Sequence, residues 1–338
     1  MFRNAPLVSR LVLVLMTLGL CLPLCAQGFG PEMFTLPSTF GMSTPISTRQ
    51  LSMGTVQSCI EDALFVNPAF GPLQRDPNAG ARVAVTALER GPDVTSGLGH
   101  YVLPLRPNET ALGLTVLVLS SSNGDMTLPE IGPASIGLAE RAFVVNYGRR
   151  LAERLTAGLS ILGYQETEVT LAPPVGRMLL DVRAKADVGL SFGSAWEWAP
   201  DSFLGAMYSW SRIGVDTEGA MVPAPMSNRF TGDQFLVGVS RRFGPQWLGA
   251  VEYQHCGMHA SGFEDSGSDI WSFGAEYTPG GPWSFRAGLA DESPTFGFGF
   301  NNGAWRADYA FIKDWRDGDL GELFGGSRTH SIQVIGTW

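Results

Sequence analysis

The sequence is poor in cysteine, in histidine and in charge. Its 338 residues include four cysteines and four histidines, and charged side chains make up 16% of it, where soluble domains carry about 25%. Cys21 and Cys25 fall in an N-terminal apolar run, which leaves Cys59 and Cys256. Two isolated thiols give neither zinc-ligand spacing nor a disulfide framework, and whether they pair stays open. After residue 26 no apolar stretch approaches the roughly 18–20 residues of a membrane-spanning helix. The longest apolar block, Ala111 to Leu119, is interrupted by Gly113 and Thr115. A bundle of membrane helices is therefore excluded. What remains is a soluble fold or a closed β-barrel, the other structure that satisfies backbone polar groups in lipid. Basic residues are also few, 23 against 32 acidic, which argues against a nucleic-acid surface.

What is present begins with a targeting signal. Arg3 and Arg10 precede an apolar run from Leu11 to Cys25, and Leu24-Cys25-Ala26 offers a cleavage site before Gln27. This is the anatomy of a secretory signal peptide over 1–26. That stretch carries two arginines and no acid, so the remainder holds 21 basic against 32 acidic residues, a net −11. From about residue 80 the chain alternates with period two, the signature of strands with one apolar face. Phe285, Ala287 and Leu289 oppose Arg286, Gly288 and Ala290, and Trp305, Ala307, Tyr309 and Phe311 oppose Arg306, Asp308 and Ala310. Val182, Ala184, Ala186, Val188, Leu190 and Phe192 oppose Arg183, Lys185, Asp187, Gly189, Ser191 and Gly193. Strands of about ten residues, aromatics at strand ends (Tyr147, Trp196, Trp247, Tyr277, Trp283, Trp305) and a terminal Trp338 favour a transmembrane barrel over a soluble sandwich. We count fourteen strands over 81–338, with short turns and longer loops largely alternating. Residues 27–80 lack long alternation, and Ser58–Phe65 is expected to form one short helix with Ser58 near its cap. Ile60, Leu64, Phe65, Phe70 and Leu73 would be exposed unless this segment fills the lumen. The expected architecture is an all-β, fourteen-stranded antiparallel transmembrane barrel (81–338) with an N-terminal lumenal hatch (27–80), in the outer membrane of a Gram-negative-type envelope.

Met53-Gly54-Thr55, then Glu61-Asp62-Ala63-Leu64-Phe65-Val66-Asn67-Pro68-Ala69-Phe70, resembles the N-terminal hatch of the FadL-type outer-membrane transporter superfamily. The C-terminal Asp308-Tyr309-Ala310-Phe311, Gly318-Asp319-Leu320-Gly321 and Thr329-His330-Ser331-Ile332 resemble the same group, its PorV-like branch most. The chain departs from the pattern at Thr55 and Val56, where Gly and Ala are usual, and in an insertion over Glu322 to Arg328. The resemblance implies a fourteen-stranded barrel with a hatch, Asn67, Pro68 and Ala69 being its motif residues. It also implies binding and passage of hydrophobic, fatty-acid-like small molecules. The PorV-like branch implies instead an adaptor with a secretion-system protein partner and no small-molecule transport.

Charges on the polar strand faces, namely Arg183, Lys185, Asp187, Glu252, Glu276, Arg286, Arg306 and Asp308, are candidate lumen residues. They would steer a solute, hold the hatch, or form cross-strand pairs. His255, Cys256 and His259 do not converge as metal ligands, because 255 and 256 point to opposite faces of a strand. Asp314, Asp317, Asp319 and Glu322 crowd one loop at a density that can hold calcium, without the spacing of an EF-hand. The histidines His100, His255, His259 and His330 sit in no Ser/His/acid arrangement. The expectation is therefore no enzyme, no cofactor and no metal. Expected partners are a hydrophobic ligand and outer-membrane lipids, for a monomeric protein.

Overall fold

The computed structural model describes residues 47–62, 66–89, 93–121, 124–128, 132–172, 178, 180–219, 225–260, 266–314 and 326–338. Fifteen strands follow in chain order: β1 Asn78–Leu88, β2 Val94–Arg106, β3 Thr110–Ser121, β4 Gly124–Leu128, β5 Gly132–Ala152, β6 Leu155–Ala172, β7 Leu180–Ala199, β8 Ser202–Glu218, β9 Met226–Phe243, β10 Trp247–Ala260, β11 Ser266–Tyr277, β12 Trp283–Ala290, β13 Ser293–Asn301, β14 Trp305–Lys313 and β15 Ser327–Thr337. Each pairs antiparallel with its sequence neighbour, except that β3 pairs with β5 rather than with β4, and β1 pairs with β15. The ring thus closes through fourteen strands, with β4 a short hairpin arm on β5. Closure joins the first and last strands of this ring, so the ring itself has no open side, as lipid demands.

Turn chemistry sorts the two ends. Left-handed backbone at Asn108, Asp201, Gly244, Gly280, Gly281 and Gly303 makes the tight turns at one end, where asparagine, aspartate and glycine are tolerated. Both ends of the barrel, Asn78 and Thr337, pair at this same end. The longer connections lie at the opposite end, where β12 and β13 are nevertheless joined by a tight two-residue turn with left-handed Asp291.

The outer wall is apolar. Val83, Leu114, Val116, Phe192, Val239, Phe273, Phe285, Phe296, Ile332 and Val334 are all exposed on it, a surface that water would not tolerate and hydrocarbon would. Aromatic pairs ring the short-turn end: Trp247 with Tyr277 at 4.5 Å, Trp283 with Phe300 at 4.9 Å and Tyr101 with Trp338 at 6.2 Å between ring centroids. A second pair, Tyr253 with Trp271 at 5.2 Å, sits six residues higher on β10 and β11. Six residues span about 20 Å of strand, close to the height of a hydrocarbon band.

Inside the ring lie the described residues 47–62 and 66–74, the inner segment. Its α-helix, α1 (Thr48–Ser52), starts at a capping box: the Ser47 hydroxyl accepts from the Gln50 N–H, and the Gln50 side chain accepts from the Ser47 N–H. The helix anticipated over Ser58–Phe65 is not formed across its described residues 58–62. The reason is local: the N–H groups of Gln57 and Ser58 donate to the Glu252 carboxylate on β10, which holds this stretch against the wall. A 3-10 turn follows at Pro68–Leu73, capped by Asn67.

Candidate functional site

The inner segment rests on a belt of inward glycines. A Cβ at Gly205 would strike the Ser58 carbonyl, at Gly158 the Pro68 backbone, at Gly193 the Asn67 side chain, at Gly274 the Met53 backbone and at Gly297 the Ser52 side chain. Only glycine permits this approach of backbone to wall. Gly299, which alternates with it on β13, makes room instead for Arg286 and Asp308.

Asn67, Pro68 and Ala69 are buried at the centre of this contact. The Asn67 carboxamide accepts from the Ala69 N–H at 3.0 Å and donates to the Ser58 carbonyl at 2.8 Å and the Ser194 carbonyl at 3.2 Å. It therefore ties the turn to another stretch of the inner segment and to β7. Pro68 fixes the first residue of the turn. Phe70 beside them packs edge-on against Phe203 of β8 at 5.3 Å.

A second tie is ionic. Arg49 on α1 reaches Glu276 of β11 with two hydrogen bonds of 2.8 and 2.7 Å. Glu276 also accepts from Arg286 at 2.6 Å, Arg286 donates to Asp308 at 2.7 Å, and Asp308 accepts from Arg306 at 2.6 Å. Arg306 then returns to the inner segment through Asp62 at 2.7 Å, and Asp62 accepts from Ser47 at the cap of α1. Three guanidinium groups and three carboxylates thus alternate in one largely buried circuit, which the Ser47 hydroxyl closes back onto α1. Such pairing is the condition under which buried charge is tolerable. Burial alone would raise the Asp62 pKa, but Arg306 and Arg49 hold it below the ordinary carboxylate range. Glu276, Arg286, Arg306 and Asp308 are the expected lumen charges that the structure brings together. Arg49 and Asp62 complete them. Arg49 is the one basic residue between 27 and 74, a signal that sequence reasoning left unused.

Arg183, Lys185 and Asp187 lie elsewhere, on the outer face near the long-loop end. At Asp187 the pairing of β7 with β8 skips a residue, a β-bulge between Ala186 and Val188. A bulge inverts the alternation beyond it, so Val182 and Ala184 are buried inside while Arg183, Lys185 and Asp187 face out. There Arg183 pairs with Asp181 at 2.9 Å and Glu168 at 3.7 Å. β6 carries its own bulge next to Gly163. Between the two bulges the ladder steps from Leu162–Gly189 directly to Glu166–Lys185.

An apolar wall sector and a polar cavity flank the inner segment. On the long-loop side, Leu98, Leu117, Leu119, Val144, Leu162 and Leu236 form an apolar sector of the inner wall over β2 to β9, packed against Val66. On the short-turn side opens a polar cavity of about 340 Å³, lined among others by Arg49, Glu61, Asp62, Arg242, Trp305 and Arg306. Burial pushes the Glu61 carboxyl up to about 7, against the pull of Arg49. Cys59 and Cys256 form no disulfide with each other. The acidic loop residues Asp317, Asp319 and Glu322 lie outside the described residues.

No protein-family model matches the sequence, and no curated protein does. Solved structures do match. The CymD monoaromatic hydrocarbon channel superposes with a TM-score of 0.60 at 16% identity, over 88% of this chain and 98% of that one. The Ralstonia pickettii toluene transporter TbuX gives 0.58 at 17% identity, over 88% and 100%. A Pseudomonas aeruginosa FadL homologue gives 0.58 at 12% identity, over 86% and 98%. The chain has the fold of FadL-type channels.

Proposed function

We propose that this protein is an outer-membrane channel that binds hydrophobic small molecules and passes them inward. The observation that carries the proposal is the apolar sector of the inner wall, from Leu98 to Leu236, above the inner segment. A hydrophilic porin has no use for such a lining, because a water-filled lumen is polar. Two solved structures that share the fold support the same substrate class, one a monoaromatic hydrocarbon channel and the other a toluene transporter. In this proposal residues 1–26 are a cleaved export signal and 27–80 a hatch. The hatch is seated by Asn67, Pro68 and Ala69 on the glycine belt and locked by Arg49 and Asp62 to the wall. A ligand collects on the apolar sector, beside the interrupted β6–β7 ladder. Movement of the hatch then releases it into the polar cavity at the short-turn end. Catalysis has no part in this.

The test is uptake. Cells lacking the protein and cells expressing it receive labelled toluene or oleate at low concentration. Faster uptake of either compound with the protein supports the channel and names its substrate class. Equal uptake, together with a stoichiometric protein partner on gentle extraction, would replace the channel with an adaptor in protein secretion.

A further inference from the structure

The apolar passage is not uniformly apolar. Along β8 and β9 the inward side chains change character layer by layer. Nearest the inner segment, Met207 faces Leu236; next, Ser209 faces Gln234; beyond them, Ser211 faces Gly232, and then Ile213 faces Phe230. All of the apolar members are buried. Strand register extends the polar layer sideways, Ser191 of β7 opposing Ser209 and Cys256 of β10 opposing Gln234. Ser191 and Ser209 satisfy each other at 2.6 Å.

Gln234 does not fit that pattern of mutual satisfaction. It is fully buried, at 0% exposure, yet neither its carbonyl oxygen nor its amino group has a hydrogen-bond partner, and the Ser211 hydroxyl beside it is likewise unpartnered. A buried carboxamide with both ends unmet is costly, and native proteins seldom leave one so without a reason. Two apolar layers enclose it, so nothing else on β8 or β9 at that height competes for the amide. The layer is also neutral: Ser191, Ser209, Ser211, Gln234 and Cys256 carry no charge, and Glu252 below is already engaged by the Gln57 and Ser58 amides.

We infer that Gln234, with Ser209 and Ser211, is a polar subsite within the hydrophobic passage that recognises a neutral oxygen-bearing group on an otherwise apolar ligand. The carboxamide oxygen accepts from a hydroxyl, and its amino group donates to a hydroxyl or carbonyl oxygen. Alcohols, phenols, ketones and esters fit. A carboxylate does not, because the layer supplies no cation to offset its desolvation. This inference rests on the proposed hydrophobic passage and narrows its substrate class.

The test compares three probes with one skeleton, toluene, 4-methylphenol and 4-methylbenzoate, binding to the full chain in lipid nanodiscs by calorimetry. The readout is the ratio of 4-methylphenol to toluene affinity, which cancels the shared apolar contacts. In Gln234→Leu, which keeps the volume, the ratio is expected to fall about tenfold or more, with toluene affinity unchanged; tenfold corresponds to about 1.4 kcal/mol. Ser211→Ala, a smaller perturbation, is expected to lower it less, in the same direction. In the unmutated protein 4-methylbenzoate should bind more weakly than 4-methylphenol. A ratio unaltered within twofold in both variants, with toluene still bound, would overturn the subsite and leave an amide that takes no part in recognition, while the passage survived. Absence of binding by all three probes to the unmutated protein would overturn the passage and the subsite together.

Discussion

The ionic circuit predicts how firmly the inner segment is held. Arg49→Met removes the guanidinium and nearly preserves side-chain length. The change deletes two charge-assisted bonds to Glu276 and one to the Glu61 carbonyl. Three cations against three anions become two against three. Both partners are largely buried, with side-chain exposures of 14% for Arg49 and 8% for Glu276, so solvent compensates little. Breaking a buried pair costs about 3–5 kcal/mol, and the lower end applies because Glu276 keeps Arg286. The penalty falls on seating of the inner segment, since β11 retains its strand pairing. Amide hydrogen exchange reads this directly, through the N–H groups of Leu51, Met53 and Thr55, bonded within the segment at 2.9 to 3.1 Å. A loss of about 3 kcal/mol speeds their exchange roughly 150-fold, with exchange in the barrel strands unaltered. Adding Glu276→Gln restores charge balance, so the pair should be non-additive by more than about 1 kcal/mol. Acceleration of less than threefold in Arg49→Met would refute the circuit as the lock.

Gly205→Ala places a methyl on the Ser58 carbonyl and should weaken seating by about 1–3 kcal/mol, exposing Cys59, now buried, to maleimide. Gly99→Ala, with nothing within 4 Å of the new methyl, should label no faster than the unmutated protein. Asn67→Ala removes the cap of the 3-10 turn and strands the Ser58 and Ser194 carbonyls, with an expected cost of about 2 kcal/mol in the same exchange assay. The pH dependence follows from Glu61, whose folded pKa is raised by burial to about 7 from an ordinary 4.5. An acid so raised is easier to keep buried when protonated. Seating should therefore be firmest below about 4.5, weaken as pH rises from there to about 7, and level off above. Glu61→Gln should abolish this slope in Cys59 labelling, once each rate is divided by that of a fully exposed thiol at the same pH to remove the thiolate fraction, and an unchanged slope would assign it to another group.

How much of this was legible in the sequence depends on the range of the signal. Strands declare themselves locally: Phe285 to Leu289 and Trp305 to Phe311 show their two faces within a few residues, and Gly244, Gly280 and Gly303 mark turns because the backbone there needs positive φ. Fourteen barrel strands followed from such cues, and Arg286, Arg306 and Asp308 fell on the correct face. Their partners did not follow, because Asp62 and Arg306 are 244 residues apart and no local pattern links them. The bulge at Asp187 was invisible for the opposite reason. Ala184-Lys185-Ala186-Asp187-Val188 alternates without a break, and one inserted residue leaves no compositional mark. Its placement nevertheless has a physical cause. β7 has 20 residues, about twice the length that crosses hydrocarbon, so its first half projects past the lipid. There the outer face is wet and can carry Arg183, Lys185 and Asp187, while the lumen wall needs an apolar lining. Inverting the alternation at Asp187 meets both demands with one strand, turning Val182 and Ala184 inward at the height where Ile213 and Val215 of β8 line the same wall. A long barrel strand whose polar face becomes strongly charged near its loop end should therefore be searched for a bulge before its charges are assigned to the lumen.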